Sequence, residues 1–206
     1  MKKLKNIVFI GENDVLDKLI QINNKKSIKS EIITSPDQSK LFNKNIKYKV
    51  YKKLDNKFKK YIKNKYNIEE TLFISIRSRW IFSKDLINNF FKGNLINYHP
   101  TRLPLDSGAG GFSWQIMRGD KINNQLFHMI DDKIDNGPII LTEKYIFPNS
   151  CKFPKDYLSF CLSKLPIFYE TLLNKIIKKE KLVIQHQQKY LSRYCPRLNT
   201  KLNGWI

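Results

Sequence analysis

Three polar residues, Asn97, His99 and Asp135, have the side-chain types that acyl transfer to an amine requires. Asn97 and His99 lie two positions apart at the end of an apolar run, so in a strand their side chains point to the same side. An imidazole can accept the amine proton, an amide can donate to an oxygen that gains charge, and a carboxylate can stabilise the imidazolium. The simpler alternative is that His99 ends the strand and Asp135 begins a turn.

An alternation of apolar runs and helical stretches must position these residues. Strands are predicted at 5–11, 31–35, 47–53, 71–76, 94–99, 125–130 and 138–147, and helices at 15–22, 55–66, 83–91, 112–119 and 154–180. This order predicts an α/β protein with a mostly parallel open sheet flanked by helices. Since ligands bind beyond the carboxyl ends of parallel strands, a site is expected in the loops after residues 76 and 96 and at 131–137.

Lysine dominates the charge of the chain. The 206 residues include 38 Lys and Arg against 18 Asp and Glu, and this net charge of +20 is typical of proteins that bind nucleic acids. Only six of the basic residues are Arg, and the excess lies mainly in 1–70 and 151–206. Because proteins that recognise bases and phosphates rely on the Arg fork, the composition favours a solvated Lys-rich surface, and no nucleic-acid partner is expected.

The cysteine spacing and the hydropathy of the chain indicate its cellular compartment. The three cysteines are far apart in the chain and do not have the spacing of zinc ligands, either with each other or with the three histidines. No metal is therefore expected. These residues are Cys151, Cys161, Cys195, His99, His128 and His186. No apolar run approaches the roughly 18 residues of a membrane span, and the opening segment is predicted to be a strand, not a signal peptide. We expect a reduced, cytoplasmic protein without a membrane partner.

The segments around the three polar residues resemble the formyltransferases that use 10-formyltetrahydrofolate. NYHPTRLP (97–104) is similar to that family's Asn-x-His-Pro strand end with its Leu-Pro loop, and HMIDDKIDNGPII (128–140) is similar to its His-x-x-Asp-x-x-x-Asp-x-Gly-x-Ile segment. The resemblance implies the Rossmann-like fold of the family's N-terminal domain over residues 1–190. Residues 191–206 would then begin a short or truncated C-terminal segment.

The resemblance also implies roles for particular residues. Asn97, His99 and Asp135 would be the catalytic triad, with 10-formyltetrahydrofolate as the formyl donor. Its pterin would lie between two sets of residues, Trp80, Ile81 and Phe82 on one side and Met129, Ile130 and Asp131 on the other. Candidate contacts for the second substrate are Arg79, Gly110 and Arg197. The chain departs from the family pattern at Ser107, which stands where relatives commonly have Arg. The alternative for the segment 78–82 is a plain aromatic core cluster after a strand.

Three branches of that family differ in features that this chain can be compared with. Glycinamide ribonucleotide formyltransferases have a Gly- and Ser-rich phosphate loop where GENDVLDK (11–18) stands, and methionyl-tRNA formyltransferases carry a sizeable C-terminal barrel. GAGGFSWQIM (108–117) and CPRLNTKLNGWI (195–206) are similar to segments of the sugar N-formyltransferases. We therefore expect direct formyl transfer to a nucleotide-linked amino-dideoxy sugar, by an enzyme that is a homodimer. The alternatives are a methionyl-tRNA formyltransferase-like enzyme and a non-catalytic basic binding module.

Overall fold

Short β-branched and aromatic runs form a seven-stranded sheet in the computed structural model, which describes residues 3–12, 15–42 and 46–198. The strands are β1 (Asn6–Gly11), β2 (Lys29–Thr34), β3 (Lys49–Val50), β4 (Thr71–Ile76), β5 (Leu95–His99), β6 (Ile122–Met129) and β7 (Ile139–Ile146). Their spatial order is β3-β2-β1-β4-β5-β6-β7. The first five pair in parallel, and β6 and β7 pair antiparallel. The predicted mostly parallel, Rossmann-like α/β sheet is thus confirmed.

Helices cover both faces of this sheet. They are α1 (Leu16–Lys25), α2 (Asn56–Lys65), α3 (Gly111–Met117) and α4 (Pro154–Ile177). Alternate residues of β1 divide between the two layers, because Ile7 and Phe9 pack with α1 and α4 whereas Val8 and Ile10 pack with α2. A strand covered on both faces has no polar face, which explains why its sequence is almost continuously apolar.

Several predicted elements differ in type or bounds from the observed ones. The stretch predicted as helix 83–91 is π-helical over Leu86–Phe90, where the wider turn brings Leu86, Ile87 and Phe90 to the buried side. The strand predicted at 47–53 shrinks to β3, two residues at the sheet edge, as its lysine-rich sequence suggests. The last helix stops at Ile177, before the left-handed backbone of Lys179 (φ 55°).

The segment after α4 returns to the carboxyl edge of the sheet. Gln185 pairs with Ile139 of β7, and the Cys195 N–H donates to the Ser107 carbonyl at 2.7 Å. The described part of the predicted C-terminal segment therefore packs on the same body as the sheet. Its Gly204-Trp205-Ile206 ending lies outside the described residues. None of the helices in the described ranges has the length and apolarity that a bilayer crossing requires.

Candidate active site

The end of β5 and its antiparallel neighbour β6 hold the first part of the site. Asn97 of β5 lies opposite His128 of β6, and the Asn97 Nδ2 atom is 3.1 Å from His128 Nε2. His128 Nδ1 is 2.8 Å from the Met129 carbonyl, an acceptor, so this nitrogen carries the proton and Nε2 accepts from Asn97. One N–H of the Asn97 amide is thus committed to His128, and the second remains available for a ligand oxygen.

Asp135 reaches the two histidines from the loop between β6 and β7. Its Oδ1 atom lies 3.5 Å from His99 Nδ1 and 3.9 Å from His128 Nε2, while Oδ2 accepts the Gly108 N–H at 2.8 Å. The residue has a left-handed backbone with φ of 52°, which is uncommon for a side-chain-bearing residue. Gln187 holds this conformation by donating its Nε2 hydrogens to the carbonyls of Asp135 and Gly137 at 3.0 and 2.7 Å.

A close backbone approach requires the glycine of this loop. A Cβ on Gly137 would lie 1.8 Å from the Met129 carbonyl oxygen, a distance that no side chain can tolerate. The absent side chain lets the chain turn back directly after β6, and this turn brings Asp135 over His99.

Burial and neighbouring charges set the ionisation of the site. Burial alone would raise the pKa of Asp135, yet this pKa lies below its usual value because His99, the Gly108 N–H and His128 favour the carboxylate. Burial, followed by the neighbouring His99, lowers the pKa of His128 to about 4, with Asp135 opposing the change. His128 is therefore a neutral hydrogen-bonding group near neutral pH, and Asp135 is an anion.

A cavity of about 510 Å³ opens at this edge of the sheet, within the range of small-molecule sites. Most of the sequence-predicted site residues line it, namely Asn97, His99, Asp135, Trp80, Ile81, Phe82, Ile130, Asp131, Arg79 and Arg197. Phe82 is only 8% exposed and also contacts Phe91 edge-on, so it belongs to the core and the cavity wall alike. Among the described residues, no group of three or more His, Cys, Asp or Glu side chains is arranged to hold a metal ion.

Two predicted contacts do not line this cavity and are revised. Met129 packs against the core instead, because successive strand residues face opposite sides and its neighbours His128 and Ile130 face the site. Gly110 donates its N–H to the Cys195 carbonyl at 2.8 Å, and a Cβ there would lie 2.0 Å from the Pro196 carbonyl oxygen. Gly110 therefore serves the close approach of the C-terminal segment.

A buried ion cluster anchors the glycine loop. Asp106 is fully buried, and its carboxylate pairs with Arg102 at 2.9 Å, with Arg118, and at 3.7 Å with Arg193. Ser107, the residue that stands where relatives commonly have Arg, donates its hydroxyl to the Arg193 carbonyl at 2.9 Å. The loop is thus tied to the C-terminal segment through this serine and the Asp106 cluster.

Sequence reasoning did not place His128 or Thr101 in the site. His128 is the first residue of the segment 128–140. In a strand, its side chain points to the same side as that of Ile130, and this alternation is the signal that could identify it. Thr101 follows Pro100 in an irregular loop, so periodicity offers no comparable signal for it.

Comparison with known proteins identifies the family. The sequence profile of the family described as Formyl transferase matches residues 5–150. The chain belongs to the formyl transferase family. The matched stretch of this formyl transferase domain contains all seven strands and the residues Asn97, His99 and Asp135.

Individual relatives of this formyl transferase domain have low sequence identity to it. GDP-perosamine N-formyltransferase from Brucella melitensis is 28% identical over 78 residues, which are 38% of this chain and 30% of that protein. Methionyl-tRNA formyltransferase from Clostridium beijerinckii is 27% identical over 158 residues, 70% of this chain and 51% of that protein. The matches thus span about half or less of the length of these two curated relatives.

The fold is shared with solved formyltransferase structures. The N-formyltransferase from Helicobacter canadensis, solved with folinic acid and dTDP-3-aminofucose, superposes with a TM-score of 0.75 at 18% identity. The superposition covers 95% of this chain and 72% of that chain.

Proposed function

We propose that this chain transfers a formyl group from 10-formyltetrahydrofolate to the primary amine of a nucleotide-linked amino-dideoxy sugar. The observation that carries the proposal is the convergence of Asn97, His99, Asp135 and His128 in one cavity of small-molecule size. Membership of the formyl transferase family supports the donor. The shared fold with an enzyme solved with folinic acid and an amino sugar nucleotide supports the acceptor class.

The proposed chemistry assigns one task to each polar side chain. When bound, 10-formyltetrahydrofolate supplies a formyl carbon on a nitrogen that can leave. His99 accepts the proton that the sugar amine loses as its nitrogen bonds to that carbon, and Asp135 stabilises the resulting imidazolium. The free N–H of Asn97 donates to the formyl oxygen while that oxygen gains negative charge. As the bond from the formyl carbon to the donor nitrogen breaks, His99 returns the proton to that nitrogen.

The walls of the cavity fit a flat heterocycle with a polar edge. Trp80, Phe82 and Ile130 present aromatic and aliphatic surface to the cavity, and Ile130 begins the loop that carries Asp135. Asp131 accepts from the Lys133 N–H and from Asn136 Nδ2, at 3.0 and 2.7 Å. The Asp131 carboxylate therefore stabilises the loop. We propose that the same residue also contacts the donor.

Two arginines at the cavity are proposed to meet the acceptor's phosphates. Arg79 lies 3.3 Å from Asp37, and this exposed pair can open at small free-energy cost. Arg197 reaches the same cavity from the C-terminal segment. Guanidinium groups bind phosphate oxygens in a bidentate manner, so the pair suits a pyrophosphate-linked substrate. We further propose that the enzyme works in the cytoplasm as a homodimer.

A second candidate function is formylation of methionyl-tRNA. The match to the Clostridium beijerinckii enzyme extends over 70% of this chain, and a net charge of +20 suits a polyanionic substrate. The two candidates share the donor and the triad and differ only in the acceptor.

A formylation assay distinguishes these functions. The protein is incubated with 10-formyltetrahydrofolate and, separately, with nucleotide-linked amino sugars or methionyl-tRNA, and products are weighed by mass spectrometry. We expect one sugar to gain one formyl group, and His99→Asn to lower this rate by about 10² to 10⁴-fold because the proton acceptor is lost. Formylation of methionyl-tRNA alone would select the second candidate. RNA binding with steep salt dependence and no formylation would select the binding module.

A further inference from the structure

Thr101 places its hydroxyl against the far side of the His99 ring. The Thr101 Oγ1 atom is 2.7 Å from His99 Nε2 and 2.8 Å from the carbonyl oxygen of Asp106. The same carbonyl lies 3.3 Å from His99 Nε2. All three residues are buried, so no bulk water relieves a mismatch among these atoms.

Counting protons over these three atoms fixes where the ring proton lies. The Thr101 hydroxyl has one proton, and the Asp106 carbonyl can only accept. If His99 Nε2 had no proton, the hydroxyl could satisfy only one of its two neighbours. Donation to Nε2 would leave two oxygens 2.8 Å apart without a hydrogen between them. With the proton on Nε2, the hydroxyl accepts from the ring and donates to the carbonyl, and every close contact contains a hydrogen.

Asp135 favours the opposite arrangement on the other ring nitrogen. Its carboxylate would attract a proton to His99 Nδ1, but the separation there is 3.5 Å, beyond the usual range of an N–H···O hydrogen bond. The contact between Thr101 Oγ1 and Nε2, at 2.7 Å, is shorter than the contact between Asp135 and Nδ1. In the neutral ring, the interaction at Nε2 therefore decides where the proton lies. We propose that Thr101 is a positioning residue that holds neutral His99 in the Nε2–H form, leaving Nδ1 as the atom that takes the amine proton. The role of Nδ1 rests on the proposed function, whereas the location of the proton does not.

The surroundings hold Thr101 in this position. A Cβ on Gly111 would lie 2.9 Å from Thr101 Cγ2, so α3 begins in direct contact with the threonine. The Asp106 carbonyl is fixed because its own carboxylate is clamped by Arg102 and Arg118. The buried ion cluster thereby supports the acceptor to which Thr101 donates.

Nitrogen NMR of the histidine rings tests the assignment without any turnover. Protein labelled with [15N]histidine is measured through the carbon-bound ring protons under alkaline conditions, where histidines are neutral. His99→Asn and His128→Gln assign the signals by their loss. We expect the His99 proton on Nε2 and the His128 proton on Nδ1, so that one spectrum contains both forms. A wild-type His99 with its proton mainly on Nδ1 would overturn the proposal.

Matched variants test the part that Thr101 plays. Thr101→Val removes the hydroxyl at nearly constant volume and should shift the His99 proton toward Nδ1, whereas Thr101→Ser should restore the Nε2–H form. Thr142→Val is the control, because it removes a hydroxyl that donates to the Gln125 carbonyl away from the cavity. An unchanged His99 signal in Thr101→Val would contradict the proposal. If that variant does not fold, the Thr101→Ser and wild-type spectra still decide the proton location.

Kinetics connect the tautomer to transfer. On an acceptor that the wild type formylates, Thr101→Val should lower kcat by about 10 to 100-fold with little change in the KM for the donor. Thr101→Ser should recover most of this loss. A Thr101→Val enzyme with altered tautomer and wild-type kcat would refute Nδ1 as the proton acceptor. Absence of formylation in the wild type, with the Nε2–H form intact, would instead refute the proposed function.

Discussion

At the scale of residues, the two histidines of the site have opposite proton locations. His128 donates from Nδ1 to a backbone carbonyl and accepts from Asn97, which fixes the direction of that amide. His99 contacts a hydroxyl at one nitrogen and a carboxylate at the other. The ring centres of the two imidazoles lie only 6.2 Å apart, yet the neighbouring groups place the proton on a different nitrogen in each ring.

The buried neutral His128 predicts a pH-dependent stability. Its pKa falls from 6.5 in the unfolded chain to about 4 in the folded one, so the unfolded state binds more protons between these values. The contribution is fully present above about pH 6.5 and is lost as pH falls toward 4, with an upper bound of about 3 kcal/mol. Urea unfolding at several pH values measures this. His128→Gln should flatten the dependence in this window, and an equally steep dependence in the variant would assign it to other groups.

At the scale of elements, the sequence predicts those helices and strands that depend on a local pattern of apolar residues. The strands β1 and β4 are mostly apolar because helices cover both faces, and their residues alone reveal this. In β5 the apolar run is broken at Asn97 and His99. The π-helical turn at Leu86–Phe90 depends on how the stretch packs on the sheet, which no local pattern encodes. The approach of Pro196 to Gly110 joins segments distant in the chain, and no local pattern around the glycine reveals it.

Strand alternation also explains which residues at the end of β6 face the cavity. His128 and Ile130 face the cavity and Met129 faces the core, as a period of two requires. A strict application of that period to the end of β6 excludes Met129 from the cavity and includes His128. The irregular loop that holds Thr101 has no such period.

The turn between β6 and β7 has no room for a side chain at Gly137. Gly137→Ala should destabilise the fold by about 2 to 4 kcal/mol, because the new Cβ meets the Met129 carbonyl and the backbone must shift. Gly119→Ala is the matched control: it also adds one methyl, at a φ of 65°, but into open space, and should cost about 1 to 2 kcal/mol. Thermal unfolding of both variants checks the order. Equal losses would show that the turn can relax around the methyl group.

At the scale of the whole molecule, most of the positive charge lies in residues 1–70 and 151–206, on either side of the chain segment that contains Asn97, His99 and Asp135. The net charge is +20, yet the site itself contains the anion Asp135 and the buried Asp106 with its arginines. A positive field of this kind would attract the two proposed substrates, a folate with its carboxylates and a pyrophosphate-linked sugar, before either reaches the cavity. The charge thus fits small anionic substrates without requiring nucleic acid.

This interpretation predicts a rate effect of salt. Raising the ionic strength shortens the Debye length to about 10 Å at 0.1 M and should lower kcat/KM, because encounter slows. The value of kcat should change little, since the buried site is screened less. Steady-state kinetics over a salt series measures both. A kcat/KM that does not respond to salt would show that the surface lysines do not steer the substrates.

Formyl transfer to an amine through His99 can be followed directly. The most direct measurement follows an isotopically labelled formyl group from 10-formyltetrahydrofolate into nucleotide-linked amino sugars, for the wild type and for His99→Asn, with donor binding measured in parallel. We expect label in one sugar with the wild type, and almost none with the variant although it still binds the donor. Label in no amine acceptor, or equal transfer by His99→Asn, would contradict it.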